Sequence, residues 1–478
     1  MVFSSNEFLF FYLPLSLILY FFIPIKYRNL VLFLVSLVFY GWEKPIYLLI
    51  MLFVIALNYV FGYLIDNAGN DEKRRKQMLV LGVALNLAVL GFFKYIDFVL
   101  ENLARIPFLD FIEPLGIALP IGISFYTFQS MSYIIDVYRG TSDVQKKFVN
   151  FGAYVSMFPQ LIAGPIVRYS DIDKELNQRT LSVDESSDGA RRFAVGLTKK
   201  VLLADTAGAL WEQINAIPRD QTSVLLLWFG IMLYSFQIYF DFSGYSDMGI
   251  GLGKILGFHF PENFNYPYIS KSITEFWRRW HITLSTWFKE YVYIPLGGNR
   301  KGEKRLVLNL LVVWLLTGLW HGASWNFVIW GLYYFVLLVL EKLFLGKYLE
   351  KAPAFFSHAY SIVFIILGWL IFYFKPDFGG FSALSSYFLG MIGALDIPFV
   401  NLEFGYTVVR NLLLLTILVV ASTPYPKKML NEFKGKIQSD AKRNVLTLAL
   451  DIALVLIFMV CIIYISSSDY RPNIYFEF

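Results

Sequence analysis

Long apolar runs dominate the chain, and short polar or basic blocks interrupt them. A membrane span needs roughly 20 mainly apolar residues. Runs of that kind cover 6–24, 45–66, 78–100, 115–138, 223–250, 306–322, 325–345, 359–375, 404–423 and 446–466. Shorter runs at 30–41, 148–166, 201–217 and 381–395 fit tilted spans, re-entrant pieces or interfacial helices. The pattern predicts an all-α polytopic membrane protein with about ten to twelve crossings. No Pro-, Gly- or Ser-rich linker, tandem repeat or large polar block divides it, so a single membrane-embedded unit over 1–478 is expected. The first run, Phe8 to Pro24, lacks a charged n-region and a clear small-residue cleavage site, and reads as a retained span.

Composition agrees. Of 478 residues, 57% are hydrophobic and only 16% charged, against about 25% charged in average soluble chains. A disordered chain, a coiled coil and an ordinary cytosolic enzyme are excluded. The formal charge of +5 is too small to suggest a nucleic-acid partner; the partner implied is the lipid bilayer. Basic residues concentrate at Lys26/Arg28, Lys73–Lys76, Arg191/Arg192 with Lys199/Lys200, Lys301/Lys304/Arg305 and Lys427 through Arg443. Placing these blocks in the cytoplasm puts both termini outside. It requires 30–41 and 45–66 to form a hairpin, 148–166 to dip in and return, and 201–217 to cross. Cys461 is the only cysteine, which excludes an internal disulfide and a thiolate metal cage.

Three stretches carry candidate chemistry. Between Phe260 and Arg305, aromatic residues alternate with Arg and Lys. Ser272-Ile273-Thr274-Glu275 has capping-box form, so a helix is predicted from Ile273. On one continuous helix, Trp277, His281 and Ser285 share a face, with Arg278 beside them. Such a segment is either a surface amphipathic helix or one that dips into a protein-lined cavity. In the second stretch, Gly318 and Gly322 form a small-xxx-small pair for close helix packing. That pairing leaves His321 unexplained, and an ionisable residue late in an apolar span is a functional hypothesis by default. A buried histidine satisfied by a backbone carbonyl is the alternative. In the third, Asp241 and Asp247 lie within an apolar run. They can bind a cation, orient a histidine, or pair with an arginine such as Arg278 or Arg279. Lys94 and Asp97 read as a local pair; His259 and His358, in loop-like surroundings, receive no role.

No G-x-S-x-G elbow, H-E-x-x-H, G-x-x-x-x-G-K-[ST] or strand-bound G-x-G-x-x-G occurs. An ion-coupled permease using Asp241, Asp247, His321 and Lys94 is the competing class; the inverted repeats and paired broken helices expected of it are not found.

FWRRWHITLSTWFKEYVYIPLGGNR (276–300) followed by GLWHGASWNFVIWG (318–331) closely resembles the membrane-bound O-acyltransferase family, in its bacterial polysaccharide O-acetylase branch. FPQLIAGPIVRY (158–169), YFDFSGYSDMGIG (239–251) and the aromatic end NIYFEF (473–478) resemble the same branch. The resemblance implies a ring of tilted helices around a tunnel, with a catalytic core at about 115–345, further helices over 359–466 and an extracytoplasmic tail at 467–478. It maps the second-motif histidine onto His321 and the first-motif histidine onto His281. It implies an acyl group taken from a cytoplasmic thioester, acetyl-CoA or an acyl-carrier protein, with D-alanyl or other acyl transfer to teichoic acid or peptidoglycan as the alternative; no permanently bound cofactor is expected, and no spacing dictates a metal. It also implies handover to an extracytoplasmic SGNH-type acetyltransferase working with polysaccharide export machinery.

Neutral imidazole suits removal of a hydroxyl proton near neutral pH. His321 is accordingly assigned as the base, and His281 as the residue that orients or polarises the thioester. Asp241, Ser285 and Asn326 are supporting positions. Arg278, Arg279, Arg300 and Lys301 form a basic rim suited to phosphates, or to lipid headgroups. Tyr475 in the aromatic tail is a possible transient acyl acceptor, or an interfacial anchor.

Overall fold

The computed structural model describes residues 1–467; the tail, including Tyr475, lies outside the described residues. The described chain is helical and packs as two compact units.

The first unit holds Met1–Phe193 and Tyr245–Glu262. After a π-helical turn at Phe8–Tyr12 come α1 (Leu13–Phe22), α2 (Arg28–Gly41), α3 (Tyr47–Asn67), α4 (Glu72–Ala104), α5 (Ile123–Arg139), α6 (Phe148–Ser156) and α7 (Tyr169–Asn177). Helix α4 starts where the Asp71 side chain accepts from the Arg74 N–H at 3.0 Å. Helix α5 packs against α3 and α4, and α2 against α6. The run expected as a span at 115–138 becomes helical only at Ile123, because Pro120 and a left-handed Gly122 (φ 74°) precede it. Helix α6 ends at Ser156, and a buried irregular stretch through Pro159, Gly164 and Pro165 follows. Non-helical backbone at depth is tolerated where protein surrounds it.

Helices α8 (Val183–Thr198) and α10 (Val224–Ile255) each run from one unit into the other. The second unit adds α9 (Asp205–Asn215), the paired short helices α11 (Ile273–Arg279) and α12 (Ile282–Phe288), then α13 (Glu303–His321) and α14 (Trp325–Leu340). Helix α14 continues through a π-helical stretch into α15 (Gly346–Leu349). They are followed by α16 (Ala354–Tyr373), α17 (Gly380–Met391), α18 (Leu402–Arg410), α19 (Leu412–Ala421), α20 (Tyr425–Lys436) and most of α21 (Asp440–Ser467).

Among the described residues, six helices are long and apolar enough to cross a membrane. They are α3, α4, α10, the α14–α15 rod, α16 and α21; α18 and α19, bent by 64° at their junction, make a seventh when taken as one span. The run at 404–423 therefore breaks at Asn411, and α1 with its leading turn is a shorter apolar helix. Helix α10 is apolar on all sides and buried along most of its length, whereas α21 is exposed along nearly all of it. That contrast is the expected one between a core helix and a lipid-facing one. His358, expected in a loop, lies in α16.

Candidate active site

The segment after Phe260 does not form the single helix predicted from Ile273. Ser272 caps α11 as expected, its side chain accepting from the Glu275 N–H at 3.0 Å. The start of α11 is also held from α14–α15. The buried Glu341 carboxylate accepts from the N–H groups of Ile273 (2.6 Å) and Thr274 (2.8 Å). The helix stops at Arg279. Trp280 is extended and His281 is left-handed (φ 44°, ψ 54°) before α12 begins. The break has a physical cause. The Ile282 N–H donates to the Asn263 carbonyl (3.0 Å) and the Asn265 N–H to the Arg279 carbonyl (2.9 Å), pinning the corner to the preceding irregular chain. Trp280 wedges it in place against Phe264 (5.0 Å) and Trp369 (4.7 Å). A left-handed non-glycine residue costs roughly 1–2 kcal/mol, and such residues cluster at functional sites. Trp277, His281 and Ser285 therefore do not share one helical face, although the Ser285 hydroxyl still donates to the Trp277 carbonyl (3.3 Å).

His281 is 1% exposed. Its Nδ1 lies 3.0 Å from Asn263 Oδ1. The Thr283 N–H (3.4 Å) and hydroxyl (2.9 Å) converge on the same oxygen. A backbone N–H can only donate, so the amide presents oxygen and His281 Nδ1 carries the proton. The Nε2 lone pair is then an acceptor, buried and without a hydrogen-bonding partner. Burial pushes the imidazole pKa down, to about 3, which keeps the ring neutral. A neutral ring with this tautomer cannot donate to a thioester carbonyl. In this tautomer Nε2 is a hydrogen-bond acceptor.

His321 ends α13 and is buried. Its position follows from the close crossing of α13 and α14. A methyl on Gly318 would collide with the Phe327 carbonyl, and one on Gly331 with the Trp314 carbonyl. The packing role of Gly318 is therefore real, with Gly331 its counterpart across the crossing; Gly322 is closed in by the Phe327 ring. The His321 ring packs on Trp330 (5.0 Å) and Phe372 (5.2 Å). Trp320 lies in ring contact with both histidines, 5.8 Å from His281 and 4.9 Å from His321. The two imidazoles thus enter one aromatic layer, which Phe242 extends at 4.7 Å from His281.

The supporting positions divide. Asn326 donates to the carbonyls of Ile371 (3.5 Å) and Phe372 (3.4 Å), fixing the helix that presents Phe372 to His321. Asp241 pairs with Lys200 (2.8 Å) rather than with Arg278 or Arg279, and Lys200 also bridges to Asp205 (2.6 Å). Asp247 pairs with Arg192 (2.8 Å). Ser285 and Arg278 line an open cavity of about 240 Å³ floored by Trp277, Trp314 and Phe288. Lys289 and Lys342 complete its basic margin. Arg279 is instead engaged with Glu275 (2.9 Å), and the exposed Arg300 and Lys301 sit in the Gly297–Gly298 turn, outside the cavity lining. Sequence reasoning missed Asn263, Lys289, Lys342 and Glu341. Only the lysines carried a signal, as cations flanking aromatic runs. In the first unit, exposed His259 bridges Glu175 (2.6 Å) and Glu185 (3.2 Å), and the Glu175 hydrogen bond raises its pKa. No group of His, Cys, Asp and Glu among the described residues could hold a metal ion.

The pattern of the membrane-bound O-acyltransferase family matches residues 143–383. The chain is 39% identical to the probable alginate O-acetylase of Azotobacter vinelandii over the full length of both. It is 35% identical to the peptidoglycan O-acetyltransferase of Helicobacter pylori, over 88% of this chain and 86% of that protein. It is 29% identical to the teichoic acid D-alanyltransferase of Bacillus subtilis, over 54% of this chain and 69% of that one.

Proposed function

The chain belongs to the membrane-bound O-acyltransferase family, and from that premise we propose that it moves an acetyl group from a cytoplasmic thioester toward the hydroxyls of an exported polysaccharide. The observation that carries the proposal is the shared aromatic layer. His281 and His321 come from separate elements and meet the same indole. The names of its relatives favour acetyl over alanyl transfer, since an alginate O-acetylase is matched over its whole length and a D-alanyltransferase over about half of this chain. The bacterial cytoplasmic membrane is the location that fits a cytoplasmic donor and an exported acceptor.

Acyl transfer to a hydroxyl requires a base and a held thioester. His321 takes the hydroxyl proton; general-base assistance of this kind is worth roughly 10²–10⁴-fold. His281, its ring held by Asn263, orients the thioester. Arg278, Lys289 and Lys342 suit the phosphates of acetyl-CoA or of a carrier's phosphopantetheine, and the aromatic floor beneath suits the apolar arm. An SGNH-type acetyltransferase outside the membrane receives the acetyl group and passes it to the polymer.

The test is reconstitution of the purified chain in liposomes with labelled acetyl-CoA and an SGNH partner outside. Label is expected on the partner or its polysaccharide, and Arg278→Ala should raise the KM for acetyl-CoA. Label that stays with acetyl-CoA while the folded protein is present would overturn the reading.

A further inference from the structure

A second cavity of about 360 Å³ lies among α10, α16, α19 and the chain at Tyr268–Ile269. Its size is within the roughly 300–1,000 Å³ of ligand sites, and neither histidine of the aromatic layer lines it. Its walls are apolar: Met232 and Phe236 from α10, Ile362, Ile365 and Ile366 from α16, and Val419 from α19. Ser235 and Tyr268 add polar groups to these walls, and three further polar residues line the cavity from helix ends. His358 lies one turn before Ile362 on α16, and Ser422 and Thr423 close α19. Beyond them, after Pro424, α20 begins, with no buried residue and with Lys427, Lys428, Lys434 and Lys436 along it.

Three features identify the occupant. Helix α16 is long and apolar enough to cross a membrane, as are α18 and α19 taken together. Their exposed Val363, Ile417 and Val420 place the cavity beside lipid-facing surface. Its apolar interior matches a hydrocarbon chain, and Ser422 and Thr423 adjoin a cationic helix of the kind that binds anionic headgroups. We propose that this cavity holds one acyl chain of an anionic phospholipid, with the glycerol at His358, Ser422 and Thr423 and the phosphate against the lysines of α20. The same lipid touches Tyr268 and Ile269, four residues before the start of α11. His358 Nδ1 donates to the Ser270 carbonyl (3.1 Å), which joins α16 to that chain.

The full-length protein in nanodiscs, with phosphatidylglycerol carrying a diazirine in its acyl chain, tests this. Photolysis and peptide mapping should concentrate label on the peptides that contain Phe236, Ile366 and Val419. Unlabelled phosphatidylglycerol should compete about tenfold better than phosphatidylcholine. Ile366→Trp, which fills the cavity, should remove the label, with Ile362→Phe as a second filler if that variant does not fold. Lys427→Gln with Lys428→Gln should equalise the two competitors while leaving the label in place. Label spread evenly along the exposed spans, or equal competition by both lipids in the unaltered protein, would overturn the proposal.

Discussion

The two histidines reach the same indole by opposite means. His321 comes on a regular helix, and what positions it is close approach: α13 meets α14 where glycine leaves no side chain, at Gly318 and Gly331. His281 comes on an irregular corner, in a backbone conformation few side chains adopt, held by Asn263 and wedged by Trp280. In the first region van der Waals contact along two rods sets the geometry; in the second, a few directional hydrogen bonds do. The first should fail through packing and the second through hydrogen bonding.

The largest effect is expected where the chemistry itself is removed. His321→Ala should lower acetyl transfer by about 10²–10⁴-fold while the protein still elutes as a folded species in detergent. A double variant with His281→Ala that loses little more than His321→Ala alone would place both rings on one step. Fully additive losses would separate them.

Next comes the crossing. Gly331→Leu should force α13 from α14 at a cost of about 1–3 kcal/mol, read as a lower thermal midpoint together with weaker transfer. An unchanged midpoint would mean that contact does not set the position of His321.

At the corner, Asn263→Leu should cost about 1–3 kcal/mol by stranding the His281 Nδ1–H. It should slow turnover about tenfold or more with little change in the KM for the thioester. Thr283→Val leaves that hydrogen bond in place and should be milder. If the two variants behave alike, the tautomer of His281 is not what Asn263 controls.

The smallest effect belongs to His259, the exposed counter-example to buried His281. The folded state binds its proton more tightly than the unfolded chain does, because Glu175 accepts from the ring. Its contribution to stability is therefore complete below the ordinary histidine pKa near 6.5 and is lost as pH rises through the raised value. His259→Gln should flatten the fall of the thermal midpoint across that interval. His281, held neutral by burial at a pKa of about 3, should add a slope of the opposite sign: the unfolded chain takes up the proton that the folded state refuses, so stability falls as pH drops below about 6.5.

Much of the fold was legible. Apolar runs of span length became helices because a chain in lipid must satisfy its backbone internally. The Ser272 cap and the packing glycine at 318 were legible too, since each acts through its immediate neighbours. The break at His281 was not. Ser272 through Phe288 reads as one helix, and only the pairing of 263–265 with 279–282 interrupts it. Asp241 likewise looked available to an arginine until Lys200, from a different helix, occupied it.

By itself, then, the sequence determined the solvent of this protein, its helical character, and which two histidines to watch, because hydropathy and local motifs act over one or two turns. Tertiary structure alone decided which atom of His281 is available, which cations gather at the aromatic cavity, and that one indole touches both rings. Those outcomes depend on groups far apart in the chain converging within hydrogen-bond or ring-contact distance, and no local pattern records that convergence.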